Sequence, residues 1–342
     1  MYILKYLSIH KNIMKSQDIR DRIKDIEDFL LDEYKENKSH KKRDWMTYEQ
    51  QLMTRIKKGF RNLKPLIIEA TNFEIHRGQG RKPELELKNR VLLLLLKELF
   101  GESNRTMASM LTIFSLLSEI EVGYKTIERL YSDKEVEMAL FNLHRLILQK
   151  REVKKIDACG DGTGYSLTIK KHYASVIVRK KDKAKKAKPK GKKIFVYSFN
   201  LLNLDSKMYV AYGTSLKSEK QAFDKAMNML KCMDIEIKSV RLDKYYSSSS
   251  YVTQFGDSKV YVIPKKNATL RGSWKWKDTM EDFVKNTFSY LEQYYLRNNS
   301  EAGFSADKRR FGWKVMQKKE ERIDTAITCK NVWHNLLNLY PT

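Results

Sequence analysis

Between residues 16 and 35 apolar side chains recur at Ile19, Ile23, Ile26, Phe29 and Leu30. Spacings of three and four gather them on one face of a helix, behind Ser16, a residue type suited to capping it. A polar stretch, KENKSHKKRDW, follows as a linker, and a second helical block runs from about 48 to 70. It stops before HRGQGRKPE, residues 76–84, whose two glycines and proline exclude regular structure. LKNRVLLLLLKELFG is apolar nearly all the way round, which marks a buried helix ending at Gly101. SNRTMASMLTIFSLLSE starts another helix behind Ser103 or Asn104. In YKTIERLYSD, residues 124–133, Ile127 and Leu130 turn inward while Lys125, Thr126, Glu128 and Arg129 turn outward.

Near residue 151 the texture changes from helical to mixed. VKKIDACGDGTGYSLTI and KKIFVYSFNLLNLDSKMYVAYGTSL carry β-branched and aromatic residues around a turn at NLDSK, and they read as strands. SEKQAFDKAMNMLKCM, residues 218–233, is a helix with Ala222, Ala226, Met229 and Leu230 on one side. IEIKSVRLD and KVYVIPK are short strands, and DTMEDFVKNTFSYLEQYYLRNN is one long amphipathic helix. The order βββαβαβα predicts an α/β domain with a mixed sheet over 151–342, after a helical region over 1–75 and a second helical region over 76–150.

Charge changes this picture. Lys and Arg number 67 against 42 Asp and Glu, a formal net charge of +25 over 342 residues. Such a surplus makes a molecule repel itself unless a polyanion accompanies it, so nucleic acid is the expected partner. The helix, turn and short helix ending near 133 then become a candidate helix-turn-helix, with Lys125 and Arg129 facing the major groove of double-stranded DNA. The loop 179–193, RKKDKAKKAKPKGKK, holds ten Lys or Arg and one Asp. So dense a run stays solvated, and Lys185 and Lys186 are candidates for gripping phosphates. RGQGRKP, residues 77–83, reads as a basic linker, with minor-groove contact as the competing use.

Cys159, Cys232 and Cys329 are far apart and form no CxxC pair, which argues against a disulfide framework or a zinc ribbon and for a reducing compartment. The longest apolar run, VLLLLL at 91–96, falls far short of a membrane span. The N-terminal MYILKYLSIHKNIMKS has lysines through its apolar part and lacks a small-residue cleavage site. A soluble cytoplasmic protein is expected.

No GxxxxGK[ST], HExxH or GxSxG motif is present, and the six histidines are dispersed. What remains are carboxylates placed at strand ends. Asp161 opens DGTGY after the apolar part of the first strand, and Asp243 ends VRLD. Taken singly, an Asp before Gly is a turn and an Asp after a strand is a helix cap. Glu301 adds a third carboxylate in YYLRNNSEAGFSADKRR, residues 294–310. There Tyr294, Arg297, Glu301 and Lys308 are separated by 3, 4 and 7 residues, which puts them on one face if the segment is a continuous helix. Three carboxylates in a cationic chain suit phosphodiester cleavage. Two Mg²⁺ or Mn²⁺ ions about 4 Å apart can stabilise the attacking and leaving oxygens, and such hard ions are held by carboxylates.

The spacing Tyr294, Arg297, Glu301, Lys308 resembles the Tyr-Arg-Glu-Lys signature of DDE transposases of prokaryotic insertion sequences. DGTGYSLTIKKHY and RLDKYYSSSSYV are similar to the segments carrying that family's two aspartates, and YKTIERLYSD to the end of its DNA-binding region. The resemblance implies a ribonuclease-H-like five-stranded mixed sheet with flanking helices, preceded by an all-α DNA-binding region. It implies that Asp161, Asp243 and Glu301 hold two metal ions, while Tyr294, Arg297 and Lys308 hold phosphates of the transposon end. Asp157, four residues before Asp161, is the alternative first carboxylate in a shifted register. Only 57 residues separate Asp243 from Glu301, which leaves no room for the large insertion domain of some relatives. SWKWKD offers Trp274 and Trp276 for base stacking, with core packing as the competing use of at least one. The implied activity is cleavage of terminal inverted repeats and transfer of the freed ends, by at least a dimer once two ends are paired. A DNA-binding regulator and a ribonuclease-H-like nuclease without strand transfer are the alternatives.

Overall fold

The computed structural model describes residues 14–36, 44–74, 83–107, 110–167 and 195–340. The basic loop 179–193, with Lys185 and Lys186, and the stretch 77–82 lie outside them. In chain order the elements are α1 (Ser16–Glu36), α2 (Trp45–Ala70), α3 (Leu87–Phe100), α4 (Leu111–Ser118), α5 (Tyr124–Leu130), α6 (Lys134–Lys150), β1 (Lys155–Leu167), β2 (Phe195–Asn203) and β3 (Tyr209–Ser215). They continue with α7 (Glu219–Lys231), β4 (Glu236–Leu242), β5 (Lys259–Val262), α8 (Trp274–Lys285), α9 (Thr287–Tyr295), α10 (Asn298–Phe311), β6 (Lys314–Val315) and α11 (Glu320–Leu339). The chain divides into two compact units, one of residues 1–42 and 241–295, the other of residues 43–240 and 296–342.

The larger unit is built round α11. Its Ile323, Val332, Trp333, Leu336 and Leu337 are buried, and it packs on α2, α3, α6 and β3. Burying each such side chain stabilises the fold by about 1.5–3 kcal/mol. Polar groups fix the register: Trp333 Nε1 donates to the Leu95 carbonyl at 2.8 Å. Asn335 brackets the backbone of Tyr209, accepting from its N–H and donating to its carbonyl, both at 2.8 Å. Val91 to Leu96 of α3 are all buried, as their all-round apolar pattern predicts, and Gly101 closes that helix at φ 66°, which a residue without Cβ adopts readily. Asp44 and Asp133 cap α2 and α6 by accepting from the amides that open each helix.

The sheet has the order β3-β2-β1-β4-β5, with β6 pairing β1. β1 and β2 are antiparallel with Asp161 opposite Asn200, and β2 and β3 are antiparallel as well. Glu236 N donates to the Lys154 carbonyl at 2.7 Å and the Ser239 hydroxyl to Asp157, so β4 advances alongside β1 in the same direction. An added Cβ at Gly213 would stand 2.2 Å from the Ala222 carbonyl oxygen, so glycine is what lets α7 lie this close to β3.

Three expectations are corrected. Among the described residues the sheet has six strands rather than five, because the turn at Gly312, φ 77°, sets Lys314 and Val315 beside the end of β1. A two-residue strand carries no periodic signal. Asp161 is not at a strand end but inside β1: Gly162 and Gly164 after it pair with Phe199 and Tyr197, as the reading of the whole segment as a strand allows. The single long helix through residue 299 is interrupted at Asn286, and again at Leu296 and Arg297, giving α8, α9 and α10.

In the smaller unit α1 packs on α8, burying Ile19, Ile23 and Ile26. Ser16, expected to cap α1, is instead its first residue, and its hydroxyl accepts from Leu270 N at 3.2 Å. The buried Tyr290 of α9 ties down β5, its hydroxyl accepting from Val262 N at 2.8 Å. No helix among the described residues is long and apolar enough to cross a membrane.

Candidate active site

Within the larger unit, strand alternation puts Cys159, Asp161, Thr163 and Tyr165 on one face of β1. Each of the first three meets a residue of α10 or the one preceding it. Ser300 Oγ donates to Cys159 Sγ at 3.0 Å, and Lys308 Nζ to Thr163 Oγ1 at 2.5 Å. Asp161 accepts from Gly162 N at 2.7 Å through Oδ1, and its Oδ2 lies 3.4 Å from Arg297 Nη1. The same Nη1 lies 2.9 Å from Glu301 Oε1. One guanidinium therefore touches two carboxylates that are remote in sequence. The side chains of Asp161 and Arg297 are 15% and 17% exposed, that of Glu301 56%. The inner half of the cluster is shielded from solvent, where charge pairing is stronger than in water, and the outer half is open.

Lys308 extends the cluster. Its ammonium stands 5.4 Å from the centre of the Tyr165 ring and 4.8 Å from that of Trp313, within the range of cation–π attraction. Burial lowers its pKa. Lys330 approaches the Tyr165 ring at 5.1 Å, and burial lowers its pKa also. Burial likewise raises the Tyr165 phenol, which stays protonated. The arrangement offers two carboxylates, an arginine and a lysine beside a largely exposed Trp313. Carboxylate oxygens are the donors that hard divalent ions take, so the chemistry of Asp161 and Glu301 fits Mg²⁺ or Mn²⁺. Among the described residues no three His, Cys, Asp or Glu side chains are gathered round one point.

The remaining expected residues lie as follows. Asp157 meets Ser239 of β4, whereas Asp161 meets Arg297. Asp243, in the smaller unit, follows β4 directly and accepts from Tyr245 N at 2.9 Å, capping a helical turn. Tyr294 is buried near the end of α9 in that unit. The interruption at Leu296 and Arg297 corrects the single face expected for Tyr294, Arg297, Glu301 and Lys308, because two helices carry them. Trp276 is a core residue, 3% exposed, its Nε1 donating to the Thr269 carbonyl at 2.8 Å, while Trp274 is 77% exposed. On α5 Lys125 and Arg129 are exposed over the buried Ile127 and Leu130, but Glu128 is held by Arg322 Nη1 at 2.7 Å. Thr163, Tyr165 and Trp313 were not legible as neighbours of Lys308. The signal for two of them was period-two alternation from Asp161, which placing Asp161 at a strand end left unused.

The fold and the cluster define a mixed α/β protein with an acidic site bridged by arginine. The chain is 44% identical over 283 residues to the probable transposase for insertion sequence element ISA1214 of Archaeoglobus fulgidus, a match covering 82% of this chain and 84% of that protein. It belongs to the transposases of insertion sequences. No family model and no solved structure matches it.

Proposed function

We propose that the protein binds the terminal inverted repeats of its own insertion sequence, cleaves DNA strands there and joins the freed 3′ ends to new DNA. The observation that carries this reading is the contact of Arg297 with both Asp161 and Glu301, beside Lys308, in a chain of the insertion-sequence transposase family. The strand order β3-β2-β1-β4-β5 supports a ribonuclease-H-like core. Asp161, Asp243 and Glu301 are the proposed catalytic carboxylates and would hold the divalent ions. When bound, two Mg²⁺ supply charge stabilisation at the attacking and leaving oxygens.

The chain's own residues do the rest. Gly162 N and Arg297 hold the Asp161 carboxylate in one orientation. Arg297 and Lys308 supply cationic donors that a DNA phosphate can take over from the carboxylate and hydroxyl they now meet. Trp274, exposed at the start of α8, is free to stack on a base, and Lys125 and Arg129 present charge to a DNA groove. Two ends must be held together for transfer, so the working form is a homodimer on DNA, in the cytoplasm. Mg²⁺-dependent nicking of terminal-repeat DNA is expected to disappear in Asp161→Asn, Asp243→Asn and Glu301→Gln. Full activity in all three variants would defeat the assignment. Joining of the cut end to a plasmid separates a transposase from a nuclease, and nicking without joining would leave only the latter.

A further inference from the structure

Helix α10 has a second charged face. Asn299, Gly303, Ala306 and Arg310 lie about 180° round the helix from Arg297, Glu301 and Lys308. In the larger unit they border a cavity of about 250 Å³ closed by α2, the β2–β3 turn and α11. Among the described residues three cations line it, Arg55, Lys207 and Arg310, and no carboxylate does. Among the described residues neither guanidinium has a carboxylate partner, and the buried Nε–H of Arg55 makes no hydrogen bond. Burial lowers the pKa of Arg310; nearby Asp307 and Tyr48 oppose that shift, and Arg55 adds to it. Lys207 sits at φ 57°, a left-handed conformation uncommon for lysine. It is held there by His334 Nε2 against its carbonyl at 2.8 Å, and its own Nζ donates to the Leu204 carbonyl and, at 3.0 Å, to Asn299 Oδ1. Both acceptors are neutral, so the lysine charge is not cancelled. Crowded like charges and an unused buried donor are costly without an anion to meet them.

We propose that this cavity binds a phosphate group of DNA, on the side of α10 away from the acidic cluster. The small side chains of Gly303 and Ala306 keep its floor clear, and it is smaller than the pockets that enclose drug-sized ligands, which suits a single phosphodiester. Paired arginine forks match phosphate oxygens, and a buried Arg Nε–H is the donor such an oxygen takes. Lys207 and Ala302 are exposed at its rim, so a continuous backbone can run past the opening. The source of the phosphate rests on the nucleic-acid reading of the family. Helix α10 then stands between two stretches of DNA backbone.

The test is the salt dependence of binding to a fluorescein-labelled DNA duplex, measured by anisotropy without divalent metal so that no strand is cut. Arg55→Gln and, separately, Ala306→Glu, which keeps a helix-forming residue in α10, should each flatten the slope of log K against log salt by about one unit. Unchanged slopes in both overturn the proposal. Thermal unfolding in inorganic phosphate, against chloride at equal ionic strength, distinguishes the source. Protection by phosphate that Arg55→Gln removes, with the DNA slope unmoved, would make this a small-anion site and overturn the DNA assignment. Asp161→Asn should keep the wild-type slope while abolishing nicking. Nicking lost in that variant with no flattening in Arg55→Gln rejects the cavity alone, and flattening in Arg55→Gln when the wild-type protein itself never nicks rejects the catalytic reading alone.

Discussion

The two faces of α10 carry the same kind of side chain in opposite electrostatic surroundings. On the face toward β1, Arg297 lies between Asp161 and Glu301, and Lys308 is engaged by a hydroxyl and two rings. On the other face Arg310 and Arg55 share a cavity that no carboxylate of the described residues lines. Counter-charge, not net charge, separates them. A guanidinium spanning two carboxylates must give up those contacts before it can bind a phosphate, whereas a pair with no carboxylate in contact among the described residues gains by meeting one. A formal charge of +25 thus says that a polyanion is welcome and nothing about which cations receive it.

The contrast breaks most readily at Arg297. Arg297→Ala removes a cation from the shielded Asp161 and should destabilise the protein by about 1–3 kcal/mol, read from the urea midpoint, as well as lowering nicking. An unmoved midpoint would mean that the two carboxylates do not depend on it. A smaller effect is expected from Gly303→Ala, since the added Cβ would stand 3.0 Å from the Tyr209 hydroxyl, which donates to Asp307 at 2.8 Å. Either the tyrosine or the helix must give by a few tenths of an ångström. Alanine's higher helix propensity offsets about 1 kcal/mol of that strain, so a net cost of about 1 kcal/mol or less is expected; thermal unfolding equal to or above wild type would show that the contact yields freely. The smallest effect separates lysine from arginine. Burial favours the neutral form of Lys308, so its charge is lost at a lower pH than that of an ordinary lysine. Lys308→Arg should therefore extend DNA binding toward alkaline pH, and superimposable pH profiles would remove Lys308 from the set of phosphate contacts.

Elements declared by local periodicity were legible. Helix α3 runs from Leu87 to Phe100 and stops at Gly101 because an all-round apolar run and a glycine cap are properties of adjacent residues. The two-residue β6 and the interruption before α10 were not. Leu296 and Arg297 contain neither Pro nor Gly to announce a break, and β6 exists only because β1 offers it backbone partners. Trp274 and Trp276 show how a boundary error spreads. With the helix started at 278, nothing distinguished them; with α8 starting at Trp274, Trp276 joins Met280 and Phe283 in the buried stripe and Trp274 points away.

By itself the chain's sequence determined where the strongly periodic helices and strands form, how large the cationic surplus is, and that a tyrosine, an arginine, a glutamate and a lysine occur at a set spacing. Only the tertiary structure decided which charges are cancelled. Arg297 meets Asp161 across 136 residues of chain, a pairing created when α10 is laid against β1, and Arg55 meets Arg310 because α2 and α10 border one cavity. Coulomb attraction depends on distance in space, and the helix and strand periods that make elements legible carry no information about which elements will be neighbours.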